Sequence, residues 1–225
     1  MEISDILKTI LSFRFKLDEI LENPSRKRII ELFPLDKYLK IPYIDIKDDL
    51  GALTSRPDYH LNILKEHGLL KSAKGRGLYQ LNEIAIQPLR NHFNKALSIS
   101  VLSGISDIAH CGKLIHGLKE ISIVPNKHIL FVKSSFLPKV ETYVNSNPYQ
   151  VKYKIIEIEK NLIEHNDYNG VYEVIEKRLK KEIYDAELIC DLSDNPQLIT
   201  IILQNLSLKF GLRRCLLKDE KIVWI

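Results

Sequence analysis

A short basic stretch between Leu53 and Leu81 contains the side chains best suited to contact a polyanion. It holds five basic residues against two acidic ones, so it supplies +3 of the formal charge of +4 carried by the 225 residues. Clustered guanidinium and ammonium groups bind phosphate oxygens, and polar side chains beside them can reach the edges of bases. The candidate contacts for double-stranded DNA are Ser55, Arg56, Tyr59, Asn62, Lys65, Lys71, Lys74 and Arg76. A solvated helix face in a protein-binding module is the alternative.

Small polar residues follow three of the predicted strands in the second half of the chain. In open parallel sheets, ligands bind outside the carboxyl ends of the strands, near helix N-termini whose free N–H groups attract anions. We therefore expect a polar or phosphorylated small molecule at this edge. The candidate residues are Ser103, Gly104, Ser106, Ser134, Ser135, Asp191, Ser193 and Asn195. Helix caps and ordinary turns use the same residue types, so capping remains the alternative for each serine.

Several classes of chemistry lack their sequence signature. The chain has no GxGxxG, GxxxxGK[ST], GxSxG or HExxH motif, and its seven histidines are not spaced as metal ligands. Cys111, Cys190 and Cys215 are far apart, which predicts free thiols in a reducing cytoplasm rather than disulfides. We expect no metal, no resident cofactor and no catalytic residue.

Composition and hydropathy predict an ordinary packed cytoplasmic protein. The chain is 45% hydrophobic, which excludes disordered, collagen-like and coiled-coil proteins. No apolar run approaches the ~18–20 residues of a membrane span, and the first residues lack the pattern of a signal peptide. The length suits one large domain or two small ones.

The first third of the chain has the pattern of a winged helix-turn-helix. Tyr43–Leu50 and a helix capped by Ser55 and ended by Gly68 are two short helices joined by a tight turn. Two strands then flank the basic turn Lys74–Gly77. The other predicted elements are a helix over 3–21, a helix over Ser25–Phe33 behind Asn23 and Pro24, and the strands Leu69–Ala73 and Leu78–Asn82.

The rest of the chain alternates strands with helices, which predicts a largely parallel sheet. The predicted strands are Ser98–Leu102, His128–Lys133, Val151–Ile158, Ala186–Leu192, Arg213–Leu217 and Lys221–Ile225. The predicted helices are Asp107–Leu118, Pro138–Val144, Tyr168–Ile183 and Pro196–Phe210. We thus predict an α/β protein with an N-terminal winged helix-turn-helix domain (1–83), a linker and dimerisation helix (84–97) and a Rossmann-like, mostly parallel sheet domain (98–225).

The first domain resembles the ArsR-type winged helix of prokaryotic transcription regulators over about residues 20–82. The similarity rests on Arg26–Leu32, on Asp58–Leu70 with its His60-Leu61 and Gly68-Leu69-Leu70, and on Leu78–Leu81. It implies a DNA-binding regulator, by expectation archaeal. Relatives bind metal through cysteines on the helix before the recognition helix, and Tyr43–Leu50 has no cysteine, so metal sensing is not expected.

The second domain resembles the CRISPR-associated Rossmann-fold (CARF) domain over about residues 97–217. The first strand ends in Ser103-Gly104 before a helix, and Glu187–Pro196 is a buried strand that runs into a long helix. The resemblance implies a homodimer with one symmetric pocket for a cyclic nucleotide such as cyclic oligoadenylate. The alternatives it leaves open are a ligand-binding adaptor and a metal-independent ring nuclease that uses Ser103 or Ser134 with Lys133.

Overall fold

The computed structural model describes residues 17–95, 97–146, 149–193 and 195–225. The chain divides into two compact units, Met1–Ala96 with Leu208–Gly211, and Leu97–Ser207 with Leu212–Ile225. Most of the helix predicted over 3–21 lies outside the described residues, and 17–21 are helical. Asp194 also lies outside them.

The first unit combines short helices with a small antiparallel sheet. In chain order its elements are α1 (Pro24–Glu31), β1 (Ile41–Pro42), α2 (Tyr43–Leu50), a 3-10 turn (Gly51–Leu53), α3 (Pro57–Glu66), β2 (Leu70–Ser72), β3 (Leu78–Leu81) and α4 (Glu83–His92). The strand order is β1-β3-β2, with both pairs antiparallel. Helices α1, α2 and α3 pack on one another through fully buried side chains such as Ile29, Ile46 and Leu61.

Local signals explain several of these boundaries. Asn23 caps α1, because its side chain accepts a hydrogen bond of 3.2 Å from the Arg26 backbone N–H and Pro24 occupies the first helical position. Gly68 follows α3 with φ of +70°, the left-handed conformation that glycine adopts most readily.

Two expectations for the first unit are wrong in detail, and one short strand was not predicted. Ser55 does not cap α3, which begins at Pro57 behind Arg56 and has no side-chain cap. The Thr54 hydroxyl instead accepts the Arg56 backbone N–H at 3.0 Å, which ends the preceding turn. Strand β1 went unpredicted because two residues are too short to leave a periodic pattern. Helix α4 ends at His92 rather than at residue 97, and Asn94 beyond it has φ of +50°.

The second unit is an α/β fold with a six-stranded sheet, which confirms the predicted fold class at this level. Its elements are β4 (Ile99–Gly104), α5 (Ile108–Glu120), β5 (Lys127–Lys133), α6 (Leu137–Ser146), β6 (Lys152–Ile158), α7 (Lys160–Glu164), α8 (Tyr168–Glu182), β7 (Glu187–Asp191), α9 (Gln197–Phe210), β8 (Arg213–Lys218) and β9 (Lys221–Trp224). Predicted and observed boundaries agree within a few residues. Among the described residues of this unit, α7 is the one α-helix that the hydrophobic pattern did not predict.

The strand order is β6-β5-β4-β7-β8-β9, parallel except for the final hairpin. Counted within the unit this is 3-2-1-4-5-6, the order of a doubly wound Rossmann-like sheet. The connection reverses direction between β4 and β7, so their carboxyl ends border a crevice.

Helices cover both faces of this sheet. Helices α5 and α6 cover one face, where Val101 packs with Leu114 and Leu130 packs with Cys111. Helices α8 and α9 cover the other face. The two apolar layers explain why the central strands are continuous hydrophobic runs rather than alternating ones. No helix among the described residues is long and apolar enough to cross a membrane.

Candidate functional site

Helix α3 directs its apolar side inward and a polar side outward. Leu61 and Leu64 are fully buried, which fixes the rotation of the helix. The predicted DNA contacts on its other side, Arg56, Tyr59, Asn62 and Lys65, are all exposed, as is Ser55 before the helix. The Arg56 guanidinium lies 5.2 Å from the centroid of the Tyr59 ring, which holds both side chains at the first turn.

The β2–β3 hairpin carries two more of the predicted contacts at its tip. Lys74 and Arg76 are exposed in the turn between the strands. Gly75 and Gly77 have φ of +120° and +68°, so this turn depends on glycine at both positions. The expected basic loop between two strands is therefore present in the structure.

Tyr43 joins the hairpin tip to the first turn of α3. Its backbone N–H donates to the carbonyl of Gly77 at 2.7 Å, and its hydroxyl donates to the Asp58 carboxylate at 2.9 Å. The hydrogen bond to Asp58 raises the pKa of Tyr43. One residue thus links the hairpin turn that contains Arg76 to the first turn of α3, which follows Arg56.

The cations of this surface keep their charge available. Four exposed cations lie at the start of α3, along it and on the hairpin, and we name them the α3–hairpin cations: Arg56, Lys65, Lys74 and Arg76. None of them makes an ion pair with a residue that the structure describes. Lys71 differs, because it pairs with Glu83 and is half-buried. Elsewhere in the unit Arg28 is bound by both oxygens of Asp49, at 2.6 and 2.7 Å. The α3–hairpin cations could hold phosphate groups without first breaking a salt bridge.

In the second unit, the carboxyl end of β7 is organised around a buried carboxylate. His110 Nε2 lies 2.9 Å from Asp191 Oδ2, and Ser193 donates to Oδ1 from its backbone N–H at 3.0 Å and its hydroxyl at 2.5 Å. Burial alone would raise the pKa of Asp191, but the bonds from His110 and Ser193 outweigh it and lower that pKa. Asp191 therefore stays ionised at neutral pH and fixes the loop after β7.

This loop also closes on the end of β4. The Asn195 side chain donates from Nδ2 to the carbonyl of Asp191 at 2.8 Å. A Cβ on Gly104 would lie 3.0 Å from Asn195 Oδ1 and 2.8 Å from Ile199 Cγ2, so only glycine fits there. Asn195 Oδ1 is buried and accepts no hydrogen bond from the described residues. The structure thus brings Gly104, Asp191, Ser193 and Asn195 together at the β4–β7 crevice.

Ser103 is placed differently from its neighbours. It is fully buried and hydrogen-bonded to His128 Nε2 at 2.9 Å, on the sheet face under α5. Burial lowers the pKa of His128 to about 4, and the nearby charge of Asp191 offsets only part of that effect. Nδ1 of His128 has no hydrogen-bond partner in the described chain. A solvent-borne ligand cannot reach Ser103 in this conformation.

The remaining predicted ligand residues lie on the surface, at the ends of β4 and β5. Ser106 and Ser135 are exposed. The Ser134 hydroxyl donates to the carbonyl of Ile158 at 3.2 Å, and Lys133 pairs with Glu164 at 3.1 Å. These contacts occupy the groups that the ring-nuclease alternative would use.

Sequence reasoning missed the two histidines that complete the buried network. His110 and His128 occupy positions that face the core, where an apolar residue is the usual choice. The signal in the sequence that could have identified them is a polar residue on the apolar side of a predicted helix or strand. The serine and aspartate partners lie at the carboxyl ends of two other elements, β4 and β7, and only the tertiary fold makes those pairs.

Among the described residues, no group of three or more histidine, cysteine or carboxylate side chains could hold a metal ion. Comparisons with family models, with curated proteins and with solved structures gave no match to this chain.

Proposed function

We propose that this protein is a DNA-binding transcription regulator whose first unit is an ArsR-like winged helix-turn-helix. In this proposal α3 enters the major groove and the β2–β3 hairpin contacts the phosphate backbone. The observation that carries it is the set of α3–hairpin cations, which are exposed, make no ion pair within the described residues and lie on two elements that Tyr43 links. Arginine and asparagine side chains, as at Arg56 and Asn62, form hydrogen bonds with base edges. The cationic groups of Lys74 and Arg76 can bind phosphate oxygens.

The second unit, in the same proposal, is a CARF-like domain that forms the homodimer and senses a nucleotide-type ligand such as cyclic oligoadenylate. The crevice between β4 and β7 supports this, because parallel sheets of this strand order bind ligands there. Gly104 lets the backbone approach closely, and Asn195 Oδ1 offers a buried acceptor with no partner in the described chain. A two-fold dimer would present two recognition helices to a two-fold operator in the cytoplasm.

The test is the salt dependence of binding to a labelled 30-bp duplex, followed by fluorescence anisotropy. We expect affinity to fall steeply with salt, and the log–log slope to lessen by about 2 in K74Q/R76Q, since each lost phosphate contact changes it by about 0.9. The matched control is K27Q/K37Q, which removes the same charge from exposed positions off α3 and the hairpin. Equal loss in both variants, or no binding of the native protein, would refute the proposal.

A protein-binding adaptor is the second candidate. Exposed apolar side chains on α2, the turn after it and α3 favour it: Ile44, Leu53 and Tyr59 are each more than half exposed. DNA binding predicts a response to Lys74 and Arg76 but little response to Leu53→Ser. An adaptor predicts no retention of the native protein on DNA, and loss of a co-purifying protein from Leu53→Ser.

A further inference from the structure

The amino ends of β5 and β6 bring three lysines onto one face of the sheet. Lys127 lies directly opposite Lys152 in the parallel register, and Lys154 follows two residues later on the same face. Like charges at directly opposed positions destabilise a pair of strands. The face therefore carries an electrostatic cost that its own residues must offset.

Helix α8 adds more positive charge and a single buried carboxylate. Glu182, 3% exposed, accepts from Lys127 Nζ at 2.6 Å, pairs with Arg178, and lies 3.9 Å from Lys154 Nζ. Burial and the like charges of Arg178, Lys127 and Lys181 lower the pKa of Lys154. We name the five cations the β5–β6 cluster: Lys127, Lys152, Lys154, Arg178 and Lys181.

The cluster is open to solvent at the edge of the sheet. β6 is the edge strand, and the side chains of Lys127 and Lys154 are 28% and 43% exposed. Adjacent strands lie about 4.8 Å apart, so ammonium groups from β5 and β6 can contact neighbouring phosphate groups together. Three of the five cations lie within 4 Å of Glu182, and one carboxylate leaves the cluster with a surplus of positive charge that a bound anion would neutralise.

We propose that the β5–β6 cluster binds an anion with closely spaced phosphate groups. The site lies at the amino ends of the strands, whereas Gly104 and Asp191 lie at the carboxyl ends, so it is separate from the crevice and does not depend on the proposed function. The phosphates could belong to a diphosphate-bearing small molecule or to a nucleic-acid backbone. Two structural explanations compete: lysines that protect a sheet edge, and cations that favour the C-terminus of α8.

The test compares K152Q/K154Q with K113Q/K160Q in the full chain. The control variant loses two exposed lysines of the second unit, each paired with a glutamate outside the cluster. Thermal unfolding is measured with sodium pyrophosphate against sodium chloride of equal ionic strength. For the native protein we expect Tm to rise by roughly 5–11 °C at a pyrophosphate concentration about a hundred times its Kd.

Two results are expected for K152Q/K154Q. Without pyrophosphate its Tm should equal or exceed the native value, because lysine repulsion is relieved. With pyrophosphate its rise should vanish, while K113Q/K160Q keeps it. A reduced salt slope on duplex DNA would identify the backbone as the source, and an unchanged slope a small molecule. Equal pyrophosphate shifts in both variants, or none in the native protein, would overturn the proposal in favour of the structural explanations.

Discussion

The hydroxyl of Tyr43, the first residue of α2, donates a hydrogen bond of 2.9 Å to Asp58 in the first turn of α3. The same tyrosine holds the hairpin through the carbonyl of Gly77. It therefore determines how far the hairpin tip stands from the start of α3. It also engages the carboxylate of Asp58, one of the two acidic residues in this basic stretch.

Removal of the Tyr43 hydroxyl should lower DNA affinity, and removal of the Asp58 charge should raise it. Tyr43→Phe keeps the backbone hydrogen bond to Gly77 but frees the Asp58 carboxylate to repel phosphates, so affinity for a duplex should fall. Asp58→Asn removes the repulsion, so affinity should rise and the salt dependence should steepen. Anisotropy titrations at two salt concentrations measure both effects. A fall in affinity for Asp58→Asn would contradict this account, because it would make the carboxylate a positioning group rather than a source of repulsion.

The stability of the second unit should depend on pH between about 4 and 6.5 through His128. Its pKa is lowered to about 4 by burial, against 6.5 in the unfolded chain. As pH falls through this window the unfolded imidazole takes up a proton and the folded one does not, so the unfolded state gains stability. The full effect of such a shift is roughly 3 kcal/mol.

Urea unfolding between pH 7.5 and 4.5 measures this dependence. The slope of unfolding free energy against pH should be shallower in His128→Gln than in the native protein. His116→Gln is the control, since His116 is exposed at the surface of α5. Asp191 does not contribute to this pH window. Its pKa is lowered from 3.8, so the stability that its ionised form adds to the fold is lost only at lower pH. An unchanged slope in His128→Gln would show that His128 is accessible to protons in the folded state.

The sequence predicted the order of elements better than the contacts among them. Helix α3 and the strands of the sheet follow from periodicity, glycine and proline, which act over a few residues. Tyr43–Asp58, His110–Asp191 and Ser103–His128 each join residues from separate elements, and spacing along the chain has no information about such pairs. Strand ends could be grouped at one edge because parallel topology requires it, which is why Gly104 at the end of β4 was expected near Asp191 at the end of β7. Ser103, one residue before the end of β4, points inward instead, and alternation along the strand decides that direction.

The His110–Asp191 pair should be strongly coupled. Asp191→Asn keeps one oxygen that can accept from Ser193 but removes the carboxylate charge beside buried His110, so we expect a loss of about 3–5 kcal/mol. A double-mutant cycle with His110→Gln checks the coupling by urea unfolding. The double variant should lose much less than the sum of the single variants. Simple additivity would show that Asp191 acts through Ser193 alone.

The β4–β7 crevice should tolerate no side chain at Gly104. Gly104→Ala places a methyl group 2.8 Å from Ile199 Cγ2, and Ile199 is fully buried and β-branched, so it cannot move aside easily. We expect a loss of about 1–3 kcal/mol in unfolding free energy, with displacement of Asn195 from the crevice. Gly112→Ala in α5 is the matched control. Its methyl group would meet the hydroxyl end of Tyr149, which is half-buried and can swing away, while helix propensity gains up to about 1 kcal/mol. Equal losses of stability in the two variants would contradict a specific close approach at Gly104. A loss confined to Gly104→Ala would support that close approach to Ile199 and Asn195.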